Sequence, residues 1–152
     1  MRLAAAVSAD YVLLSELLEN NPPKVSTLGF VARGKIKNNF VYDPTTGPCQ
    51  QLLERKQICF YVSDVQKQFP RSEYLRKFHV ESFVGIPLLD SKRGFIGAIA
   101  IMNRQPLRDP TRAVWLLQIA AGRAAAELER IKKEREIKDS RTGLAMLSRR
   151  LA

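Results

Sequence analysis

From Asp109-Pro110 onward the chain holds one helix-forming stretch that is longer than a small domain can cover. Asp suits an N-cap, and proline suits the first turn, where its missing N–H would have had no partner in any case. Only Gly122 interrupts the pattern before Asp139, so the sequence predicts a helix over 110–138. Residues 113–124 read as the part that covers the chain's own sheet. At ~1.5 Å per residue, Ala125 to Lys138 adds about 20 Å of helix that must find another helix or stand in water. Leu117, Ala121, Ala124, Leu128 and Ile131 follow a 4-3-4-3 spacing, which keeps one seam toward a partner helix. Arg135 and Lys138 take the next two positions, so the seam fades. The expectation is a homodimer through a parallel coiled coil, with a loose far end.

Upstream the pattern turns to strands. "MRLAAAVSAD" has helix-forming composition, and "YVLLSELLEN" is apolar enough for a strand or further helix. After Asn20-Asn21-Pro22-Pro23, the alternation from Val25 to Val31 predicts a strand packed on both faces. Arg33-Gly34-Lys35 reads as a turn and "KIKNNFVYD" as the returning arm, giving a hairpin over 24–43. Gly47-Pro48 opens a short helix with Cys49, Leu52 and Leu53 on one side. "QICFYV" predicts a buried strand at 57–62, and "SEYLRKFH" a helix with Tyr74, Leu75 and Phe78 on one face. "ESFVGIPLLD" and "FIGAIAIMN" are two β-rich runs joined by Ser91-Lys92-Arg93-Gly94, a second antiparallel hairpin. The fold class is α/β of the α+β kind: an antiparallel sheet of about six strands, helices on both faces and a long C-terminal helix.

With 152 residues, 45% of them hydrophobic, the chain has material for one ordinary core. No apolar stretch reaches the ~18 residues of a spanning helix, and no export signal opens the sequence, so the expected location is cytoplasmic and the two cysteines are expected as free thiols. The net charge of +10 raises nucleic acid as a partner. Clustering decides against it. Residues 1–122 hold sixteen Lys and Arg against ten Asp and Glu, residues 123–152 hold nine against five, and no block of five like charges occurs. Neither nucleic acid nor membrane is an expected partner.

"GPCQQLLERKQICFYVSDVQKQFP", "ESFVGIPLLDSKRGFIGAIAIMNRQPLRDP" and "LLQIAAGRAAAELER" together resemble the GAF domains that precede kinase or GGDEF output domains in bacterial signalling proteins. The resemblance covers roughly residues 5–135. It implies a six-stranded antiparallel sheet, N- and C-terminal helices on one face and a small-molecule pocket under shorter helices on the other. It implies no catalysis. The expected organisation is a sensor domain over 1–135, a signalling helix over 125–138 and a tail over 139–152. In that tail, Asp139, Thr142, Gly143 and Leu144 resemble the opening of a GGDEF domain, while the segment is too short to be one.

Catalysis by Cys49 and Cys59 would need a lowered thiol pKa and a resolving partner. Cys49 at a helix N-terminus meets the first condition in part. The cysteine pattern and acidic pocket motif of the related free methionine sulfoxide reductases are lacking, so Cys49 is expected beside the pocket and Cys59 in a core strand. Neither cysteine is followed by the His of the bilin-binding relatives, and His79, the only histidine, has no metal-ligand spacing around it. No metal or cofactor is expected. Asn103-Arg104 with Asp109 partly resembles the signature of cyclic-nucleotide-binding relatives, a weak pointer to that ligand, while the plainer expectation has Arg104 pairing with the helix N-cap. Tyr42, Phe60, Tyr61, Phe69, Tyr74 and Phe78 concentrate where the resemblance puts the pocket. With Cys49, Ser82 and Met102 they form the expected ligand-binding set, and the ligand is expected between the sheet and residues 42–82. Met102 and Asn103 are the expected mechanical link to the helix. The function implied is a ligand-sensing regulatory domain with a downstream output domain; the alternatives are a ligand-free dimerisation module and a thiol redox enzyme.

Overall fold

The computed structural model describes residues 9–151; the helix expected from "MRLAAAVSAD" falls largely outside them. The strands are β1 (Tyr11–Asn20), β2 (Pro23–Ala32), β3 (Lys35–Lys37), β4 (Val41–Tyr42), β5 (Cys59–Tyr61), β6 (Ser82–Leu89) and β7 (Phe95–Asn103). They form one antiparallel sheet in the order β3-β2-β1-β7-β6-β5, with β4 also on β2. A 3-10 turn (Pro44–Thr46) and the helices α1 (Cys49–Arg55), α2 (Val65–Gln68) and α3 (Glu73–Lys77) lie between β4 and β6, and α4 (Pro110–Leu151) follows β7.

Because side chains alternate along a strand, the apolar runs in β1 and β7 supply two cores rather than one. Val12, Ile99 and Ile101 face α4 and pack with Val84, Leu88, Leu117 and Leu128. Tyr11, Leu13, Ala100 and Met102 face the other way and pack with Leu52, Val65, Leu75 and Phe83 beneath the short helices. The expected sheet, with the long helix on one face and short helices on the other, is the one observed. Gly97 lets the layers close: a Cβ there would stand 2.2 Å from the Ser15 carbonyl oxygen and 3.0 Å from Leu128 Cδ2.

Both predicted hairpins form. At the first, Arg33 (φ 51°) and Gly34 (φ 82°) are left-handed, as a two-residue loop matched to strand twist requires. The returning arm breaks into β3 and β4, separated by residues 38–40. At the second, Asp90 Oδ1 accepts from the backbone N–H groups of Lys92 (2.9 Å) and Gly94 (2.7 Å).

Several expectations need correction. The buried strand at 57–62 is a three-residue edge strand, pairing only with β6, and its Phe60 is 50% exposed. Cys59 is therefore half-buried at a sheet edge and not in a core strand. The long helix starts as predicted, with Asp109 Oδ1 accepting from Arg112 N–H at 3.0 Å. It does not stop at 138 but runs through Gly122 and Asp139 to Leu151. Nor does it leave the body at Ala125: Ser91 Oγ donates to Glu129 (2.7 Å), Lys132 Nζ to the Leu17 carbonyl (3.0 Å) and Arg135 to Glu16 Oε2 (2.8 Å). The ten-residue β1 reaches far enough to hold the helix there. The seam predicted to meet a partner helix turns toward the sheet instead. Leu117, Ala121 and Leu128 are buried in the chain's own core, Ala124 packs against it and Ile131 is half-buried.

Candidate functional site

The short-helix face carries a cleft of about 1060 Å³ with an aromatic floor. Its rings come from three places. Tyr11 opens β1 and Phe30 lies near the end of β2, where the sheet brings their centroids within 6.2 Å. Phe40 sits between β3 and β4 because Thr27, buried on β2, ties down that loop: Thr27 Oγ1 accepts from Phe40 N–H (2.9 Å) and donates to Asn39 Oδ1 (2.9 Å). Phe40 thereby meets Phe30 edge-on at 5.3 Å. The α3 segment adds Tyr74, 5.1 Å from Tyr42, and Phe78, 5.1 Å from Phe30 and 5.2 Å from Tyr11.

Below this floor the two tyrosine hydroxyls converge on Cys49. Tyr42 OH donates to Ser15 Oγ (3.3 Å) and lies 3.4 Å from Cys49 Sγ, and Tyr74 OH donates to the same sulfur at 3.9 Å. Burial pushes the Cys49 thiol up from its ordinary pKa and both phenols well above theirs. Cys59 is pushed up to about 12, again mainly by burial. These are protonated, packed thiols, the reverse of what a nucleophile needs.

The rim is cationic. Arg33, Lys35, Lys37, Arg71, Lys77 and Arg104 stand around the cleft against two acids, Asp43 and Glu73. The Asp43 carboxylate is engaged by the Thr45 hydroxyl (2.6 Å) and N–H (2.9 Å), which hold its pKa below the usual carboxylate value. Arg104 is fixed over the floor: its Nε donates to Tyr11 OH (2.9 Å) and its guanidinium lies 5.8 Å from the Tyr11 ring centroid. The expected pairing of Arg104 with Asp109 is replaced by these contacts and by Asp10, whose Oδ2 accepts from Arg104 N–H (2.9 Å). Asp10 also accepts from Arg33 N–H through its carbonyl (2.7 Å) and donates its own N–H to Asn103 Oδ1 (2.8 Å). Arg33 and Arg104 line in addition a second cavity of about 700 Å³, whose other wall includes Asp109, Arg112 and Ala113 at the base of α4.

Of the residues expected to bind a ligand, the cleft brings together Tyr42, Tyr74 and Phe78. Cys49 lies beneath them, buried. Tyr61 and Phe69 pack against each other at 5.4 Å away from the cleft lining, and Phe60 faces outward from the sheet edge. Ser82 is buried and donates to the Gln105 carbonyl (2.8 Å), while Met102 is fully buried in the core. The expected 42–82 wall is thus narrowed to 42–46 and 71–78, and Tyr11, residues 30–41 and Arg104 complete it. Sequence reasoning passed over Tyr11, Phe30, Phe40 and the rim cations other than Arg104, which it paired with the helix N-cap. The hairpin over 24–43 carried the available signal, since pairing its arms brings Phe30 and Phe40 together and puts Lys35 and Lys37 at the mouth. Among the described residues no group of three His, Cys, Asp or Glu could hold a metal ion, and no helix is long and apolar enough to cross a membrane.

The GAF domain family model matches residues 2–128. The chain belongs to the GAF domain family. Solved structures share the fold. The GAF domain of a two-component sensor histidine kinase from Bacillus halodurans is similar at TM-score 0.67 and 19% identity, over 88% of this chain and 90% of that one. The GAF domain of an Acinetobacter phosphoenolpyruvate-protein phosphotransferase is similar at TM-score 0.66 and 15% identity, over 89% and 80%. A bacteriophytochrome from R. palustris is similar at TM-score 0.63 and 12% identity, over 94% of this chain and 35% of that one. No curated protein sequence matches the chain significantly.

Proposed function

We propose that this GAF domain is the sensory module of a signalling protein, binding a small molecule in the aromatic cleft and passing the result along α4 to an output domain. The observation that carries the reading is the shared wall. Arg33 and Arg104 line both the cleft and the cavity at the base of α4, so a ligand that moves either one touches the start of the signalling helix. Tyr42, Tyr74 and Phe78, with Tyr11, Phe30 and Phe40, form the ligand contacts in this reading. The volume lies at the upper end of what small-molecule sites occupy.

The domain acts as a homodimer through α4, by a different face from the 117–131 seam. Trp115 (61% exposed) and Ile119 (59%) stand one turn apart on the outer surface, and Ile137, Leu144 and Leu147 are exposed on the part of the helix beyond Arg135. Fifteen residues, 136–150, are exposed there, about 22 Å of helix whose apolar side chains gain by pairing with a second copy. A thiol redox enzyme is disfavoured by the buried, protonated Cys49, and the domain is expected to show no turnover of methionine sulfoxide.

A thermal-shift screen of nucleotides, amino acids, aromatic acids and neutral aromatics tests the sensor reading. A true ligand at 100 times its Kd adds ~2.7 kcal/mol to stability, and a Phe78→Ala variant should lose that shift. Silence across the screen would leave a ligand-free dimerisation module.

A further inference from the structure

We infer that the cleft takes a planar aromatic anion, a ring bearing a carboxylate or a phosphate, and that Arg104 and Lys77 are the cations that read its charge. The inference rests on the cleft being the sensor's ligand site and adds the class of ligand.

The floor argues for a flat ring. Tyr11, Phe30, Phe40, Tyr42, Tyr74 and Phe78 form a continuous set, and their neighbouring centroids lie between 5.1 and 6.5 Å apart in tilted or edge-on pairs. Tyr11, Phe30 and Tyr74 are buried, and the partly buried Phe40, Tyr42 and Phe78 packed on them present the surface that an added ring would meet, at the separations aromatic pairs favour. The rim argues for the charge. Its six cations to two acids exceed the chain's own ratio of 25 to 15, so the excess is not the overall composition spread evenly. Among the described residues none of the six forms an ion pair. Arg71 is offset in part by Asp43, and the remaining excess of cations around an apolar floor focuses a positive potential into the cleft.

Two of these cations are already over the floor. Arg104 stands over Tyr11 and Lys77 Nζ lies 5.6 Å from the Phe78 centroid, while Tyr11 and Phe78 are themselves 5.2 Å apart. Adjacent rings therefore each carry a cation held by its own ring, which lowers the ordering cost of engaging an anion. A neutral ring over the same pair would strip water from two charges and return no counter-charge. An aliphatic acid would satisfy the charges and waste the ring faces.

Isothermal titration and amide NMR on the intact chain test this with matched probes: benzoate against benzamide, AMP against adenosine, and cyclohexanecarboxylate against benzoate. The expected result is that benzoate or AMP binds at least about tenfold more tightly than its neutral counterpart and perturbs residues 30–43 and 71–78. Benzoate should also outbind cyclohexanecarboxylate. The arm that binds distinguishes a carboxylate from a phosphate. Lys77→Gln and Arg104→Gln should each weaken the anion about tenfold and should not weaken the neutral probe, which no longer desolvates that charge. Lys77→Gln keeps the test valid if losing the Arg104–Tyr11 contact disturbs folding. Neutral probes binding as tightly as anions, equal binding of the aliphatic acid, anion affinity unchanged in Lys77→Gln, or no binding by either anion would each overturn the inference. Neutral compounds that bind the cleft would leave the sensor reading standing while this one fell. Silence from these probes and from the broad screen would remove both.

Discussion

Leu128 separates two accounts of the long helix. In one it belongs to a seam that meets a second copy; in the structure it is 3% exposed, and its Cδ2 would stand 3.0 Å from a Cβ at Gly97. Truncating it therefore removes three buried carbons from the contact between α4 and the sheet. Leu→Ala changes at such sites cost a transfer contribution plus a cavity contribution, and the limited collapse possible against a strand backbone sets the expected loss at about 3 kcal/mol. For a chain of this size that lowers Tm by roughly 6–12 °C. Urea unfolding of Leu128→Ala at several protein concentrations, with sedimentation velocity on the same samples, is the assay. Leu144→Ala, on the exposed part of the helix, is the control: its effect on the stability of the folded unit should stay within ~0.5 kcal/mol, while any dimer weakens. The reasoning is refuted if Leu128→Ala leaves the unfolding midpoint of the dilute monomer unchanged and instead converts a dimer to monomer.

Gly97→Ala should be at least as damaging, since the new methyl group meets the Ser15 carbonyl oxygen at 2.2 Å; chemical denaturation should show a loss of about 3 kcal/mol. Tyr42→Phe removes a hydroxyl engaged by Ser15 and Cys49 and should cost about 1 kcal/mol while leaving far-UV circular dichroism unchanged. The thiols make stability pH-dependent at the alkaline end. Cys59 is raised from 9.0 to about 12 in the folded chain and Cys49 is raised too, so the folded state keeps protons that the unfolded state releases. Their contribution is complete below about pH 9 and is lost as pH climbs toward 12. Urea midpoints that stay flat from about pH 8 to about pH 11 would contradict this assignment.

Most of the architecture was legible because it rests on local signals. The alternation of Val25–Val31, the turn residues Arg33-Gly34 and the Asp109-Pro110 cap each act within a few residues, and each appears in the structure where the sequence put it. What was illegible depended on distance. The 4-3-4-3 spacing from Leu117 to Ile131 is the same whether the helix faces a sheet or another helix, and only the length of β1 and the reach of Lys132 and Arg135 decide that it faces the sheet. "QICFYV" is apolar enough for a core strand, but its place at the end of the strand order exposes Phe60. The cleft was half legible for the same reason. Tyr42, Tyr74 and Phe78 come from the segment the resemblance marked, whereas Tyr11, Phe30 and Arg104 join them only through the sheet.

In the proposed sensor, the route from cleft to helix is short and runs through Asp10. Its carbonyl holds the turn residue Arg33, its carboxylate holds the Arg104 backbone and its N–H is held by Asn103. Three backbone segments meet there: the tip of the β2–β3 hairpin at the cleft mouth, the first strand and the end of β7. From Arg104 only the five residues 105–109 separate this junction from the first turn of α4. A ligand shifts the helix only by binding two arrangements unequally, and the residue able to register that difference is Arg104. An anion that engages its guanidinium over Tyr11 bears on the same residue whose backbone is tied to Asp10. Met102, the link expected from the sequence, is fully buried in the core and pairs between β1 and β6, so in this reading the route to the helix runs through the backbone after Asn103 rather than through the Met102 side chain.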